Sequence, residues 1–121
     1  MNKWNALQKF WESFEIPAYD NQSVPDDAKL PYLTYESQVD SLENVLSLSG
    51  SLWYRDTSWK KISNKADEID KKLGNGGIVL PLDEGFLWIV KGTPFAQRLA
   101  DDTDKMVKRI IINIQAEYLA R

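Results

Sequence analysis

One segment of the chain alternates between apolar and polar positions with a period of two residues. From Leu46 to Tyr54 every second residue is a leucine, a glycine or a tyrosine, whereas serines and Trp53 occupy the positions between them. Successive side chains of a β-strand point to opposite faces of its sheet. The segment is therefore predicted to be a strand with one apolar face and one serine-rich face. A sheet built around it needs a layer of helices on its apolar face.

A first helix is predicted over residues 3–15. Its apolar residues recur at steps of three and four, the spacing that places side chains on one side of a helix. They are Trp4, Leu7, Trp11 and Phe14, with Phe10 widening the apolar side. Pro17 is expected to end the helix because a proline disfavours α geometry in the residue before it.

A second helix is predicted over residues 58–73. A hydroxyl of Thr57 or Ser58 can accept a hydrogen bond from a free amide of its first turn, and Gly74 supplies a left-handed residue at its end. Its apolar stripe consists of Trp59, Ile62, Ala66, Ile69 and Leu73. Lysines and acidic residues fill the other side, as expected for a helix that packs against a sheet.

Four more segments are predicted to be strands, at residues 32–39, 78–80, 86–91 and 106–119. The first and the last alternate between apolar and polar positions, and Asp83-Glu84-Gly85 is predicted to form a hairpin turn between the other two. Residues 18–31 are interpreted as an ordered surface loop and residues 40–44 as a turn. Gly92-Thr93-Pro94 is expected to break the chain again.

These elements give the predicted order α-β-β-α-β-β-β in a single domain, residues 1–121. The length fits one domain. Tight connections favour a mixed, mostly antiparallel sheet of four to five strands, and the simplest α+β arrangement packs both helices on one face. The opposite face then stays partly polar and is large enough to be a contact surface.

The chain has no histidine and no cysteine among its 121 residues, and its formal net charge is -3. Histidine is the commonest general base and metal ligand, and cysteine is required for disulfides and thiolate-metal sites. Ser-His-Asp and Cys-His nucleophiles are therefore excluded, and we expect no catalytic residue, no cofactor and no metal. The acidic balance argues against nucleic-acid binding. No apolar run approaches the roughly 20 residues that cross a membrane, so we expect a soluble protein without membrane contact.

Some charged groups allow a functional interpretation beside a structural one. Asp101-Asp102-Thr103-Asp104 could hold a divalent cation through oxygen ligands, although acidic residues also crowd solvated turns. Asp67 with Asp70, or Glu36 with Glu117, could act as acid and base if the two carboxylates lay about 5–10 Å apart. The lysines of the second helix could contact RNA, but acidic residues interrupt them. We favour the structural interpretation of each group.

Five tryptophans occur in this short chain. Three lie on the predicted helix stripes and are expected in the core: Trp4, Trp11 and Trp59. Trp53 falls on the serine-rich face of its strand, and Trp88 lies on a strand that is apolar on both sides. These two are candidate protein-interface residues, with Arg55 a further candidate, because tryptophan is enriched at binding hot spots. The alternative is that a second layer within the domain covers both tryptophans.

Several short stretches occur in order along nearly the whole chain. They are Ile16-Pro17-Ala18-Tyr19-Asp20, Leu30-Pro31-Tyr32-Leu33-Thr34-Tyr35, Ser51-Leu52-Trp53-Tyr54-Arg55 followed by Thr57-Ser58-Trp59, Gly76-Gly77-Ile78, and Gly92-Thr93-Pro94-Phe95-Ala96-Gln97-Arg98. Together they resemble the tail terminator and minor structural (tail completion) proteins of long-tailed phages and prophages of Gram-positive bacteria. The resemblance rests on turns and strand starts, and it implies a sheet with two helices against one side.

The resemblance also implies a function, that of a virion structural protein that is not an enzyme. A tail terminator caps the tail tube as a homo-oligomeric, six-fold ring and presents a surface for head attachment. The implied partners are other copies of the chain, the tail tube protein and a head completion or connector protein, assembled into the virion in the cytoplasm of the bacterial host. The alternatives are a head-tail joining protein, a small carboxylate-dependent hydrolase and a host-encoded interaction module.

Overall fold

Over residues 1–36, 45–101 and 103–120, which the computed structural model describes, the chain forms two helices and six strands. In chain order they are α1 (Lys3–Glu12), β1 (Ala18–Asp20), β2 (Tyr32–Tyr35), β3 (Val45–Arg55), α2 (Lys60–Leu73), β4 (Ile78–Leu82), β5 (Gly85–Ala100) and β6 (Val107–Ala120). The strands form one sheet in the order β1-β2-β3-β6-β5-β4. β1 and β2 are parallel, and the other neighbouring strands are antiparallel.

β3 and β6 run through the centre of the sheet. Leu48 lies opposite Ile114 and Leu52 opposite Ile110, so the apolar positions of both strands share one face. These side chains are buried, and burying a leucine or isoleucine side chain contributes roughly 1.5–3 kcal/mol. The alternation predicted for both segments is confirmed, and it decides which face of the sheet the helices cover.

Both helices pack against that apolar face. The Trp11 indole of α1 lies over Gly50 so closely that a Cβ atom at position 50 would come within 3.0 Å of the ring. On the α2 side, the Asp70 carboxylate lies 2.7 Å from the Lys91 ammonium of β5. The buried helix residues are Ala6, Leu7, Phe10 and Trp11 on α1 and Ile62, Ala66, Ile69 and Leu73 on α2. We call the opposite surface of the sheet the helix-free face.

The ends of α2 are explained by single residues. The helix begins at Lys60, whose amide donates a hydrogen bond to the Ser58 hydroxyl at 3.0 Å. One of the two predicted hydroxyls therefore satisfies an amide of the first turn. The helix ends before Gly74, which has a φ of 60° that glycine adopts without steric cost. The second predicted helix is confirmed, with its start at residue 60 instead of 58.

α1 is shorter than predicted, and one of its expected core residues is exposed. The Ser13 amide and hydroxyl both donate to the Phe10 carbonyl, which ends the helix before the predicted boundary at residue 15. The prediction that Trp4 lies in the core is wrong, since its side chain is 47% exposed. The buried stripe runs through Leu7, Phe10 and Phe14, and at about 100° per residue Trp4 falls at its margin.

A short strand that was not predicted lies at one edge of the sheet. β1 pairs in parallel with β2, and the Leu33 amide donates to the Pro17 carbonyl at 2.8 Å just before it. The interpretation of residues 18–31 as a loop is therefore wrong at residues 18–20. A strand of three residues is too short to show an alternating pattern.

β5 continues where a break was expected. Its register against β6 shifts between Lys91 and Ala96, so Gly92-Thr93-Pro94 forms an irregularity within the strand instead of ending it. The Asn113 side-chain amide donates to the Pro94 carbonyl at 2.9 Å and holds this segment against β6. The strand predicted at residues 86–91 therefore extends from Gly85 to Ala100. The pairing with β6 accounts for the extension.

The predicted class, a mixed α+β fold with a mostly antiparallel sheet, is confirmed. The strand number is six within the described residues, where four to five were predicted, and the element order has one additional strand before β2. The predicted turn at residues 40–44 lies outside the described residues, as do residues 37–39 of the strand predicted at residues 32–39. Neither described helix is long and apolar enough to span a membrane.

Candidate interaction face

The helix-free face carries polar side chains along its two central strands. Ser49 of β3 lies opposite Asn113 of β6, Ser47 lies opposite Gln115, and the pattern continues along both strands. Because both described helices pack on the other side, no described helix covers these side chains. The serine-rich face of the predicted strand is therefore accessible at Ser47 and Ser49, whereas Ser51 is buried.

Trp53 and Arg109 contact each other on this face. They are direct neighbours on β3 and β6, and the Arg109 guanidinium carbon lies 4.6 Å from the centroid of the Trp53 ring. The Trp53 indole donates to the Thr34 hydroxyl at 3.0 Å, and Arg109 Nε donates to the Ser51 hydroxyl at 3.1 Å. Each side chain is thus held by a hydrogen bond as well as by the cation–π contact.

A cavity of about 410 Å³, lined by both polar and apolar side chains, lies over this pair. Asn21 and Val24, from the segment between β1 and β2, form one wall, and Glu36 lies farther along the strands, where its carboxylate accepts from the Ser49 hydroxyl at 2.8 Å. A second cavity of about 310 Å³ continues along the sheet. Its lining includes Ser47, Thr93, Asn113 and Gln115. We call the first of these spaces the Trp53 cavity.

Apolar side chains cluster at the opposite corner of the helix-free face. Val79 lies opposite Trp88, and Phe86 lies opposite Leu119, so these side chains share the face. Val79 is 54% exposed, Phe86 39% and Leu119 38%, whereas Trp88 is half-buried. The Trp88 indole donates to the Gly76 carbonyl at 2.8 Å, which fixes the ring on the surface. We call Val79, Phe86, Trp88 and Leu119 the apolar patch.

The sequence-predicted interface residues all lie on the helix-free face, but not at one place. Trp53 and Arg55 are alternate residues of β3, while Trp88 lies on β5. The β6 partners of the two tryptophans are Arg109 and Glu117, so they lie roughly 27 Å apart along the strands. A layer covering Trp53 and Trp88 together is not found among the described elements.

Arg55 has a partner within the chain. Its guanidinium donates to the Asp104 carboxylate, which also accepts from the Met106 amide at 2.9 Å. The Arg55 hydrogen bond, followed by the Met106 amide, lowers the pKa of Asp104 below its ordinary value. Arg55 therefore fastens the turn between β5 and β6 to the end of β3.

The acidic cluster is built into the same turn. The Asp101 carboxylate accepts from the Thr103 hydroxyl at 2.7 Å and from the Thr103 amide at 2.8 Å. The Thr103 hydroxyl bond and then the backbone amides of Thr103 and Asp104 lower the pKa of Asp101. Asp102 lies outside the described residues. No group of acidic side chains that could hold a metal ion occurs in residues 1–36, 45–101 and 103–120.

The carboxylates considered as acid-base pairs form ion pairs with lysines or lie far apart along the strands. Asp67 forms an ion pair with Lys71 at 2.9 Å, and Asp70 pairs with Lys91 on the sheet. The Glu36 carboxylate bonds Ser49, which lies opposite Asn113, so Glu36 and Glu117 are displaced by roughly 13 Å along the strands.

The lysines of α2 do not all face solvent. The Lys65 ammonium donates to the Phe14 carbonyl at 2.8 Å, and the Lys72 ammonium donates to the Ser13 hydroxyl at 2.6 Å. Both hydrogen bonds join α2 to the segment that follows α1. A side of α2 that only faces solvent was expected, and these two lysines depart from that expectation because they bond the neighbouring segment.

Several residues of this face were not singled out from the sequence. The interface residues predicted from the sequence do not include Arg109, Val79, Phe86 or Leu119. The pairing of β3 with β6 is what brings Arg109 against Trp53. Trp53 could be recognised from the sequence as a candidate interface residue. Its contact with Arg109 could not, because it depends on the register of two strands that are distant in sequence.

Comparison of the chain with protein-family models and with curated protein sequences finds no match.

Proposed function

We propose that the protein is a structural subunit of a phage virion and acts as a tail terminator. In this role identical subunits close into a ring on the end of the tail tube, and the ring offers a surface to which the head attaches. The proposed partners are other copies of the chain, the tail tube protein and a head completion or connector protein. We further propose a six-fold ring located in the virion.

The observation that carries this proposal is the apolar patch. Isolated apolar residues are common on protein surfaces, but a contiguous exposed patch is typical of an interaction site. Val79, Phe86 and Leu119 are each more than one third exposed and are brought together with Trp88 by strand pairing. The patch also extends onto β4, the last described strand at that end of the sheet, through Val79.

A ring needs two different surfaces on each subunit, because each copy contacts one neighbour on either side. The helix-free face has two such surfaces. The apolar patch lies toward β4, and the polar surface around Trp53 lies toward β2. Their different chemistry favours a head-to-tail contact over a symmetric contact of one patch with itself. This arrangement, together with the stretches that resemble tail terminators, supports the ring.

We also propose that the protein is not an enzyme. The carboxylates that could have served as acid-base pairs form ion pairs or lie too far apart, as described above. The chain contains no histidine or cysteine to act as base or nucleophile. These features support a role in binding and assembly.

Self-association of the purified chain tests the proposal. We expect sedimentation velocity and negative-stain images to show a closed ring at high concentration or on tail tubes. Phe86→Lys places a charge in the apolar patch and should weaken self-association at least about tenfold, because desolvating an unpaired charge is costly. Trp4→Lys is the matched control, since Trp4 is also an exposed aromatic residue (47%, against 39% for Phe86) but lies on α1. It should leave the association constant unchanged.

If the chain stays monomeric at high concentration, both alone and with assembled tail tubes, the proposal of a ring is contradicted. Equal weakening by Phe86→Lys and Trp4→Lys would instead show that the apolar patch is not the contact. Circular dichroism of both variants establishes that each is folded before its association is measured.

A further inference from the structure

Arg109 is held in place but most of its hydrogen-bonding capacity is unused. A guanidinium has five N–H donors. The Nε–H group donates to Ser51 at 3.1 Å, and the other four have no hydrogen-bond partner among the described residues. The indole of Trp53 lies against the guanidinium and is itself fixed by Thr34. The side chain is therefore positioned before any ligand arrives.

The charge of Arg109 is also unmatched within residues 1–36, 45–101 and 103–120. The described ion pairs involve Asp67, Glu68, Asp70, Asp83 and Asp104, and none of them includes Arg109. Arg109 is half-buried and lines the Trp53 cavity. A half-buried cation that is fixed on an aromatic ring and lines an open cavity can bind an anion through strong, charge-assisted hydrogen bonds.

We propose that the Trp53 cavity binds a carboxylate presented by another protein, with Arg109 as the residue that binds it. An aspartate or glutamate side chain of the partner accepts two parallel hydrogen bonds from the terminal nitrogens of the guanidinium, which is the geometry that arginine and carboxylate share. The volume of about 410 Å³ is sufficient for such a side chain and the residues flanking it.

A single carboxylate fits the charges of the cavity better than a polyanion does. Glu36 lines the same cavity and adds negative charge away from Arg109. A nucleic acid or a polyphosphate would need several cations, and among the described residues Arg109 is the cationic residue lining this cavity. An isolated acidic side chain of a partner protein therefore suits this cavity better than a polyanion does.

The test uses the full chain labelled with ¹⁵N and two small probes. These are N-acetyl-aspartate N-methylamide and its asparagine counterpart, which has no charge. The Nε–H signal of Arg109 and the indole N–H signal of Trp53 are followed by NMR at constant ionic strength. We expect both signals to shift saturably with the aspartate probe, with a Kd of millimolar order. The asparagine probe should bind at least about tenfold more weakly.

Arg98 provides a matched control for Arg109. Its guanidinium carbon lies 5.1 Å from the Trp59 ring centroid, and its Nη2 group donates to the Ser63 hydroxyl at 3.2 Å. This second arginine–tryptophan contact lies on the side of the sheet that α2 covers. Arg109→Lys should weaken the aspartate probe at least about tenfold, because lysine cannot offer the paired donors. Arg98→Lys should leave its affinity unchanged.

Several results would overturn the proposal. They are equal shifts with both probes, equal affinity in wild type and Arg109→Lys, or stronger shifts at Arg98 than at Arg109. Tighter binding of inorganic phosphate than of the aspartate probe would show that the site is one for phosphate and not for a carboxylate. If Arg109→Lys does not fold, the comparison of the two probes on the wild-type chain decides whether the cavity binds a carboxylate. Phe86→Lys should bind the aspartate probe with wild-type affinity. The proposal of a carboxylate site can therefore be contradicted or supported independently of the proposal of a ring.

Discussion

Gly76 and Gly77 are neighbours, but only the second occupies a position that a side chain could not enter. Gly77 has a φ of 75°, and a Cβ atom there would come within 2.3 Å of the Ile89 carbonyl oxygen. Nothing lies within 4 Å of the corresponding position at Gly76. We therefore expect Gly77→Ala to lower the free energy of unfolding by about 2–3 kcal/mol, measured by urea denaturation. Gly76→Ala should change it by less than about 1 kcal/mol.

Equal losses in the two alanine variants would mean that the close approach to Ile89 does not restrict this turn. A small change at both positions would mean that the turn relaxes to admit a side chain. The comparison is informative because the two glycines share their neighbours in sequence and differ in conformation and space.

Asp104 links the fold to pH. Hydrogen bonds from Arg55 and from the Met106 amide lower its pKa below the ordinary value of 3.8. The folded chain therefore binds this proton less tightly than the unfolded chain does. Its stabilising effect is fully present above the ordinary pKa and is lost as the pH falls through the lowered pKa. We expect the thermal midpoint of the wild type to fall more steeply below about pH 4 than that of Asp104→Asn.

Arg55→Gln is the companion variant, because it removes the main cause of the lowered pKa and leaves the carboxylate in place. It should give an intermediate pH profile. If the profiles of wild type and Asp104→Asn had the same shape at every pH, the ion pair would not contribute to acid stability.

At the level of residues, the sequence predicts roles that depend on near neighbours in the chain. Ser58 at the start of α2 and Gly74 at its end act within one helical turn, and both were recognised. The contact of Arg109 with Trp53 was not, because it depends on how two strands pair. Trp4 was misassigned because a stripe of apolar residues does not tell where the packed surface beneath it ends.

At the level of elements, Trp11 of α1 contacts the sheet at Gly50. The Trp11 ring occupies the space that a Cβ atom at position 50 would need. We expect Gly50→Ala to lower the free energy of unfolding by about 1–3 kcal/mol, because overpacking displaces the ring or the helix. In a Trp11→Leu background the same substitution should cost much less. A double-mutant cycle from denaturant unfolding measures this coupling.

Additive effects in that cycle would show that the ring and position 50 do not share space. Gly50→Ala alone could also act through the backbone, because alanine and glycine differ in conformational freedom. That contribution is the same in both backgrounds and cancels in the cycle, so a remaining coupling reports the contact with Trp11.

Elements with strong internal patterns were predicted well, and elements defined by their partners were not. α2, β3 and β6 each carry a long apolar repeat and form close to their predicted bounds. β1 is a strand because β2 lies beside it. The second half of β5 resumes pairing after an irregularity because β6 is long enough to continue. A glycine and a proline in the sequence indicate a break, but pairing with the neighbouring strand can resume after it.

At the level of the whole molecule, the proposed terminator role makes a prediction about tail length. A terminator binds the growing end of the tail tube and blocks further addition. Silencing the gene in its phage should therefore give tails of irregular or excessive length, with filled heads that remain unattached. Purified protein added to polymerising tube protein should stop elongation at a low molar ratio. Electron micrographs of particles and tubes provide both measurements.

Tails of normal length beside heads that have lost their DNA would instead support a head-tail joining protein. Silencing without any effect on particles would remove the protein from the virion. Phe86→Lys, supplied in place of the wild type, should reproduce the long tails if ring closure is needed to cap the tube, whereas Trp4→Lys should not.

The fold class could be predicted because it follows from the periodic apolar patterns of whole segments. Two amphipathic helices and several alternating segments allow few arrangements other than a sheet with one covered face. The candidate interaction face was predictable only in outline, as the polar side of that sheet. Its apolar patch forms from Val79, Phe86, Trp88 and Leu119 on three strands, so no single segment of the sequence displays it.

The position of β6 has a consequence for how the protein folds in the cell. β6 is the last described strand along the chain, yet it lies between β3 and β5 in the sheet. A chain emerging from the ribosome can form the β4–β5 hairpin early, but β3 must wait for β6 before its second edge is paired. Until then the nascent chain exposes apolar side chains and an open strand edge, a stage prone to aggregation. Folding of this sheet is therefore completed only when synthesis of all its strands has ended.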